Sequence, residues 1–353
     1  MTVPIATDQK SLFFRDRLMD WHRPEDRPLP WKENKDIYLI WLSEIMLQQT
    51  RTGQVTPYYK RFTGRFPVLE SLATAEEEDV MHYWQGLGYY NRARNLHRAA
   101  KYIYFDLEGK FPSDYPSWLA IPGVGPYTAA AITSFALGLP HAVLDGNVFR
   151  LLSRYFGIFD PIDTGAGKKL FQQLADQLID RNNPAQFNQA IMDFGATICK
   201  PQNPLCDICP LQSKCIAFIE GTIGQLPVKK RSVARKKLVL NYLHITDGEA
   251  FLLWRRPPGS IWPGLYELPS LPEDTEVNAH LKKEMGLIPT EVKKVTQLKH
   301  QLTHREITAT FYRVQISDFK RLKKGDWILV KYKNFTKFAV HRLMKKYFHI
   351  FMD

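Results

Sequence analysis

Seventeen residues, CKPQNPLCDICPLQSKC from 199 to 215, hold every cysteine of the 353-residue chain: Cys199, Cys206, Cys209 and Cys215. Only two residues separate Cys206 from Cys209, a spacing that lets both thiolates reach one metal centre, and Pro201, Pro204 and Pro210 keep the loop tight enough to bring in the outer pair. Four thiolates suit tetrahedral zinc or an iron–sulfur cluster, and the chemistry alone does not choose between them. Zinc fingers usually use two short cysteine pairs, whereas here the outer cysteines stand alone.

Two carboxylates point to a second kind of chemistry. IYLIWLSEIMLQQT, residues 37–50, carries one charge, Glu44, on an apolar helical pattern. Burial raises the pKa of a carboxyl group, which would make Glu44 a general acid at neutral pH. A solvated Glu paired with an arginine is the plainer alternative. Asp145 lies in AVLDGNVFRLLSRYF, whose flanks read as helix. It can cap the helix running from Asn147, face a site, or do both.

Between them lies SWLAIPGVGPYTAAAITSFA, residues 117–136, two helical stretches around IPGVG. Gly123 and Gly125 can take backbone angles closed to other residues. The turn and the next helix N-terminus can then present N–H groups to an anion. No G-K-[ST] follows, so this is not a nucleotide P-loop. Taken alone, it is either a phosphate-gripping hairpin or a tight helix–helix turn.

The elements that must position these groups are helical from residue 8 to 220. SLFFRDRLMDW, VMHYWQGLGYY, NLHRAAKYIYF, VFRLLSRYF and KLFQQLADQLI show helical spacing. From 222 the stretch TIGQLPVKKRSVARKK is dense in Lys and Arg, has no acid, and reads as a linker. LVLNYLHIT, EAFLLWRR, ITATFYRVQIS and WILVKY then read as strands, with helices at VNAHLKKEMG and TKFAVHRLMKKYF. The expected organisation is a mainly α protein with a C-terminal α+β domain: 29–140 a six-helix domain, 1–28 with 141–221 a second helical domain holding the cysteines, 222–236 a linker, and 237–353 the α+β domain.

Forty-eight Lys and Arg against 36 Asp and Glu give a formal charge of +12, which points to a polyanionic partner. The N-terminus MTVPIATDQK has no apolar core, so no secretory signal is expected. The longest apolar run, 129–144, is too short and too polar to cross a bilayer, so no membrane partner is expected. A cytoplasmic protein follows, with its thiols reduced.

The cysteine spacing resembles the [4Fe-4S] loop of the endonuclease III and MutY branch of DNA glycosylases, and IPGVG resembles their helix-hairpin-helix. LPWKENKDIYLIWLSEIMLQQTRT, YWQGLGYYNRARNLH, IPGVGPYTAAAI, LDGNV and FNQAIMDFGATIC extend the likeness to MutY-type adenine DNA glycosylases over nearly the whole chain. The resemblance implies base excision repair: hydrolysis of the N-glycosidic bond of adenine mispaired with 8-oxoguanine or guanine. It also implies a [4Fe-4S] cluster on the four cysteines, Glu44 as general acid, and Asp145 stabilising the oxocarbenium ion. Tyr127 and Asn147 would hold the two carboxylates.

In the bifunctional endonuclease III branch, the place two residues after the second hairpin glycine holds a Schiff-base lysine. Here it is Tyr127, which implies a monofunctional enzyme. Arg27, Trp31, Leu47 and Gln189 would line the adenine pocket. Gln49, Thr50, Leu87 and Tyr89 would act at the lesion strand, and Gly123 and Gly125 on phosphate. The implied partner is double-stranded DNA bound by a bacterial, nucleoid-associated monomer, with no small-molecule substrate.

FLLWRRPPGSIWPGLYELP resembles the Nudix-like domain that MutY carries and endonuclease III lacks. Nudix hydrolases hold metal with G-x5-E-x7-R-E-U-x-E-E-x-G-U, where U is aliphatic. Here Ala279 and His280 replace Arg-Glu, Lys283 replaces one Glu, Ser270 stands at the first Glu, and only Glu284 remains, which implies recognition rather than pyrophosphate hydrolysis. Leu302-Thr303-His304 takes the place of the Phe-Ser-His that probes 8-oxoguanine in the family, so Thr303 and His304 are lesion-recognition candidates without the aromatic. Two rivals make different predictions: a glycosylase/lyase of the endonuclease III branch, and a non-catalytic, zinc-holding DNA-binding protein.

Overall fold

The computed structural model describes residues 9–22, 29–32, 35–230, 235–302 and 304–352. The chain divides into two compact units. One takes in the chain through Ala75 together with Arg94–Ser232, and the other Glu76–Ala93 with Val233–Asp353. Among the described residues no helix is long and apolar enough to cross a membrane.

Helices follow in order as α1 (Gln9–Trp21), α2 (Ile37–Leu47), α3 (Thr52–Arg65), α4 (Leu69–Ala73), α5 (Glu77–Trp84), α6 (Tyr90–Lys101), α7 (Tyr115–Leu119), α8 (Pro126–Leu137), α9 (Gly146–Phe156), α10 (Gly165–Leu178), α11 (Pro184–Thr197) and α12 (Ile216–Ile219). Asp36 starts α2 by accepting from the Tyr38 amide at 2.8 Å. Because α2 is apolar on all sides, it is buried from Ile40 to Met46 and packs on α8. Phe14 and Leu18 of α1 share a core with Val148, Leu152 and Tyr155 of α9, Phe171 of α10 and Phe194 of α11.

Two helical expectations are corrected. VMHYWQGLGYY is not one helix: α5 ends at Trp84, and Gly86, Gly88 and Tyr89 take positive φ values of 101°, 85° and 50°. Glycine tolerates that region and breaks the helix there. TKFAVHRLMKKYF starts as a 3₁₀ turn (Tyr332–Lys337) and then extended chain, and α14 begins only at Arg342. Val340 forms a parallel bridge with Tyr266, so sheet pairing overrides the local helical spacing.

The second unit has a mixed sheet built from β1 (Lys236–Thr246), β2 (Ala250–Arg255), β3 (Tyr266–Glu267), β4 (Ser270–Leu271), β5 (Pro289–Gln301), β6 (Arg305–Ile316) and β7 (Trp327–Lys331), with helices α13 (Val277–His280) and α14 (Arg342–Met352). The strand order is β3-β2-β1-β6-β5, with β4 also on β1 and β7 on β2. β1 and β6 run parallel, from Lys236 opposite Arg305 to Thr246 opposite Gln315. The sequence reading did not find β5, and the reason is physical. It is an edge strand with irregularities at Pro289/Glu291 and Lys294/Thr296, which put Val292, Val295 and Leu298 three apart and hide the two-residue period.

The basic linker divides in its attachments. Val228 O accepts from Ile162 N at 3.0 Å and Asp163 Oδ1 accepts from Lys230 N at 2.9 Å, so this part lies on the helical unit. Residues 231–234 lie outside the described residues.

Candidate active site

Glu44 sits mid-way along α2 and is 5 % exposed. Burial pushes its carboxyl from 4.5 up to about 7. A hydrogen bond from Tyr127 opposes that rise, and the charge of Asp145 adds to it. The Tyr127 hydroxyl donates to Glu44 Oε2 at 3.1 Å and lies 3.4 Å from Met192 Sδ. Its own phenol is pushed well above 10, by burial first and then by the charges of Glu44 and Asp145. The charge of Asp145 thus reaches both Glu44 and Tyr127.

Asp145 caps α9. Its Oδ1 accepts from the amides of Asn147 and Val148, both at 2.8 Å, and its Oδ2 accepts from Asn147 Nδ2 at 2.8 Å. Burial raises its carboxyl, and these bonds, which favour the ionised form, offset the rise only in part. Asn147 is itself held: Arg150 Nη2 donates to its Oδ1 at 3.0 Å. A side chain at Gly195 would meet Asn147 Cβ at 2.7 Å, so α11 packs against this capping turn only through a glycine.

The hairpin lies between α7 and α8. Gly123 has φ of 81°, and a Cβ there would meet Asn95 Cβ at 2.7 Å. Gly125, at the N-cap of α8, has open space where its side chain would be, which leaves its backbone accessible. Tyr127, two residues further on, sits in the first turn of α8, so one short segment carries both the glycine turn and the hydroxyl on Glu44.

Of the expected pocket residues, Trp31 is buried with its ring 5.3 Å from that of Tyr59, and Leu47 ends α2 half-buried. Gln189 Nε2 donates to Asp193 Oδ2 at 2.9 Å. Arg27 lies outside the described residues. Gln49 is exposed at φ of 55°, and Thr50 Oγ1 bonds the Gln48 carbonyl at 3.3 Å. A positive φ on a residue other than glycine is uncommon and costs energy.

Sequence reasoning missed three supports of this site. Lys32 Nζ pairs with Asp193 Oδ2 at 2.7 Å, with both side chains nearly buried. Gln48 Nε2 donates to Thr128 Oγ1 at 3.0 Å, tying the end of α2 to α8. Arg150 looked like any basic helix residue. Pairs separated by 161 or 80 residues leave no local signal. For Asp193 the one available sign was a lone acid in the apolar run AIMDFG.

The four cysteines are not in disulfides, and all of them line one cavity with Arg154, Tyr155, Phe194 and Leu211. Arg154 Nη1 lies 3.5 Å from Cys199 Sγ and donates to Lys200 O at 2.7 Å, and its Nη2 donates to Pro201 O at 3.1 Å. Arg150 Nε donates to Cys199 O at 2.7 Å. Helix α9 therefore carries the Asp145 cap at one end and the braces of the cysteine loop further along. Among the described residues, no three His, Cys, Asp or Glu side chains close on a single metal-ion position.

In the second unit, Leu87 is 2 % exposed and Tyr89 is 46 % exposed, with the Arg92 guanidinium 4.9 Å over the Tyr89 ring. Arg92 is itself buried, so it is not a solvated helix face. His304 is exposed and its carbonyl accepts from Lys236 N at 3.0 Å, whereas Thr303 lies outside the described residues. Glu284 is exposed beside Lys283 at 3.5 Å. Glu267 is wholly buried. It accepts from Tyr242 Oη at 2.8 Å, Trp254 Nε1 at 3.1 Å, His341 Nε2 at 3.1 Å and Arg256.

Comparison with known proteins identifies the family. Residues 42–177 match the model of the HhH-GPD superfamily base excision DNA repair proteins, and 241–349 match the NUDIX domain. An adenine DNA glycosylase of Buchnera aphidicola is 35 % identical over 90 % of this chain and 93 % of its own length. That of Mus musculus is 32 % identical over 96 % of this chain and 78 % of its own. The solved structure of a thermostable thymine-DNA glycosylase superposes with a TM-score of 0.57 at 29 % identity, covering 61 % of this chain and 99 % of that one. The likeness to the Buchnera and Mus proteins runs through both the helical part and the sheet: the chain belongs to the adenine DNA glycosylase family.

Proposed function

We propose that this DNA glycosylase hydrolyses the N-glycosidic bond of adenine paired with 8-oxoguanine or guanine, with Glu44 as general acid. The observation that carries this reading is a buried carboxyl raised to about 7, bonded by Tyr127 and within the field of Asp145. A group titrating there keeps a proton to give at working pH. The adenine leaves the stack, and Glu44 protonates it at N7. The C1′–N9 bond then breaks with its electron pair on the base, and Asp145 stabilises the sugar cation. Water adds at C1′ and loses a proton to one of the two carboxylates. Tyr127, being a phenol, forms no imine with the sugar, which supports a monofunctional enzyme.

Trp31, Leu47 and Gln189 would receive the base, with Asp193, itself paired with Lys32, holding Gln189. Gly123 and Gly125 would take phosphate. Gln49, Thr50, Leu87, Tyr89 and His304 would meet the lesion strand. Double-stranded DNA is the partner, bound by a cytoplasmic monomer.

The cysteine donors fit a [4Fe-4S] cluster: four free cysteines line one cavity beside the cationic Arg154. When bound, the cluster would cross-link the loop at four points through Fe–S bonds. The test is adenine release from duplexes pairing A with 8-oxoguanine, G, C and T. Release from the first two, lost in Glu44→Gln and Asp145→Asn, upholds the reading. DNA binding without base release on any duplex would favour a binding protein instead.

A further inference from the structure

Helix α5 and the turn after it belong to the second compact unit, although they interrupt the helical unit in sequence. They are fixed to the sheet at both ends. At the N-terminal end, Tyr266 Oη of β3 donates to Glu78 Oε1 at 2.7 Å, and Arg255 of β2 lies 3.7 Å from Glu77 and 3.9 Å from Glu78. At the C-terminal end, three contacts converge on one extended stretch of backbone. Gln85 Nε2 donates to Phe338 O at 3.5 Å and to Val340 O at 3.4 Å, and Tyr90 Oη donates to Val340 O at 3.4 Å. The same Tyr90 hydroxyl accepts from Gly86 N at 3.2 Å.

The segment held this way, Gly86–Tyr89, has three residues at positive φ and ends in a half-exposed Tyr89. Its shape does not come from helix propensity, so something outside it must maintain it. Val340 also leads towards the lesion-recognition loop. The next residue, His341, stacks on Trp262 at 3.9 Å and 18°, and Trp262 lies 5.8 Å from His300, close to the end of β5 and the loop that follows it.

We propose that Gln85 and Tyr90 are positioning residues that latch the Gly86–Tyr89 turn to the Phe338–Val340 backbone, so that the lesion-recognition unit itself sets the wedge. This rests on the reading that Leu87 and Tyr89 act at the lesion strand. Neither latch residue touches the scissile bond. Each acts by holding a turn whose placement decides how well the base opposite adenine is tested. Loss of the latch therefore weakens discrimination more than it weakens chemistry.

The test compares full-length wild type with Gln85→Met/Tyr90→Phe, a pair that keeps size and removes both donors to the Phe338–Val340 backbone together with the acceptor of the Gly86 amide. Single-turnover adenine release is measured opposite 8-oxoguanine and opposite guanine. The expected result is at least a fivefold loss of the 8-oxoguanine preference. Amide exchange at residues 86–89 should be at least tenfold faster, with exchange in α2 and α9 unchanged. Unchanged exchange at 86–89, a preference within twofold of wild type, or equal loss on both duplexes would overturn the latch. A wild-type protein that releases no adenine from either duplex would instead sink the functional reading. Tyr266→Phe, which loosens only the other end of α5, should give the same change in smaller degree.

Discussion

Glu44 and Glu267 are both buried glutamates with hydrogen-bond partners, one in each unit, and they are driven in opposite directions. Among the described residues Glu44 has one close donor, the Tyr127 hydroxyl, and burial carries it up to about 7. Glu267 is also pushed up by burial, but bonds from His341 and Arg256 reverse the effect and hold it below 4.5. Tyr242 and Trp254 take further lone pairs. His341 accepts from Met344 N at its Nδ1 and so donates from Nε2. Burial alone therefore does not make an acid. The number and charge of the donors decide whether a buried carboxyl is a proton source or a fixed anion joining strands. The metal-binding carboxylates of the Nudix pattern are mostly gone, and the survivor, Glu284, is exposed beside a lysine.

The comparison breaks most sharply if Glu44→Gln keeps its activity. Adenine release should fall by about a thousandfold, the middle of the range for losing a general acid. Circular dichroism should show an unchanged fold. Asp145→Asn should cost about a hundredfold or more in the single-turnover rate, since an amide no longer opposes the sugar cation. In the other unit, Glu267→Ala should destabilise by about 3–5 kcal/mol, because Arg256 loses its buried counter-charge. Denaturant melts should place that loss in the sheet unit. Because the folded carboxyl of Glu267 lies below its unfolded value, its contribution is present above about pH 4.5 and fades as pH falls further.

Glu44 has the opposite sign. Its folded value lies above 4.5, so stability declines as pH rises from about 4.5 to about 7. The ionised group then costs roughly 3 kcal/mol. Glu44→Gln should accordingly melt higher than wild type at pH 8 and show little difference at pH 4.5. Tyr127→Phe gives the smallest effect. It removes the bond that favours ionised Glu44, so the basic limb of the rate profile should move up by about one pH unit.

How much could be read from the sequence depended on how local the constraint was. A single charge on the apolar helix IYLIWLSEIML left two readings, a buried acid or a solvated one, and Glu44 is buried. Four cysteines within seventeen residues have few ways to avoid one another, and they share a cavity. LDGNV announced a cap, and Asp145 makes it. What could not be read was either non-local or hidden by irregular geometry. The Lys32–Asp193 pair joins distant segments, the bulged edge strand β5 loses its alternation, and α5 reads as one more helix of a helical run although its contacts lie with the sheet. Arg27 and Thr303 lie outside the described residues, and their expected roles rest on resemblance.

The central claim is that Glu44 delivers its proton from a site held near neutrality. The most direct check is the single-turnover rate of adenine release, opposite 8-oxoguanine, from pH 5 to 9. A rate that falls above about pH 7, with that limb moved upward in Tyr127→Phe and absent from the residual activity of Glu44→Gln, is the predicted result. A profile flat through neutrality, or a Glu44→Gln enzyme that keeps the wild-type limb, would contradict it.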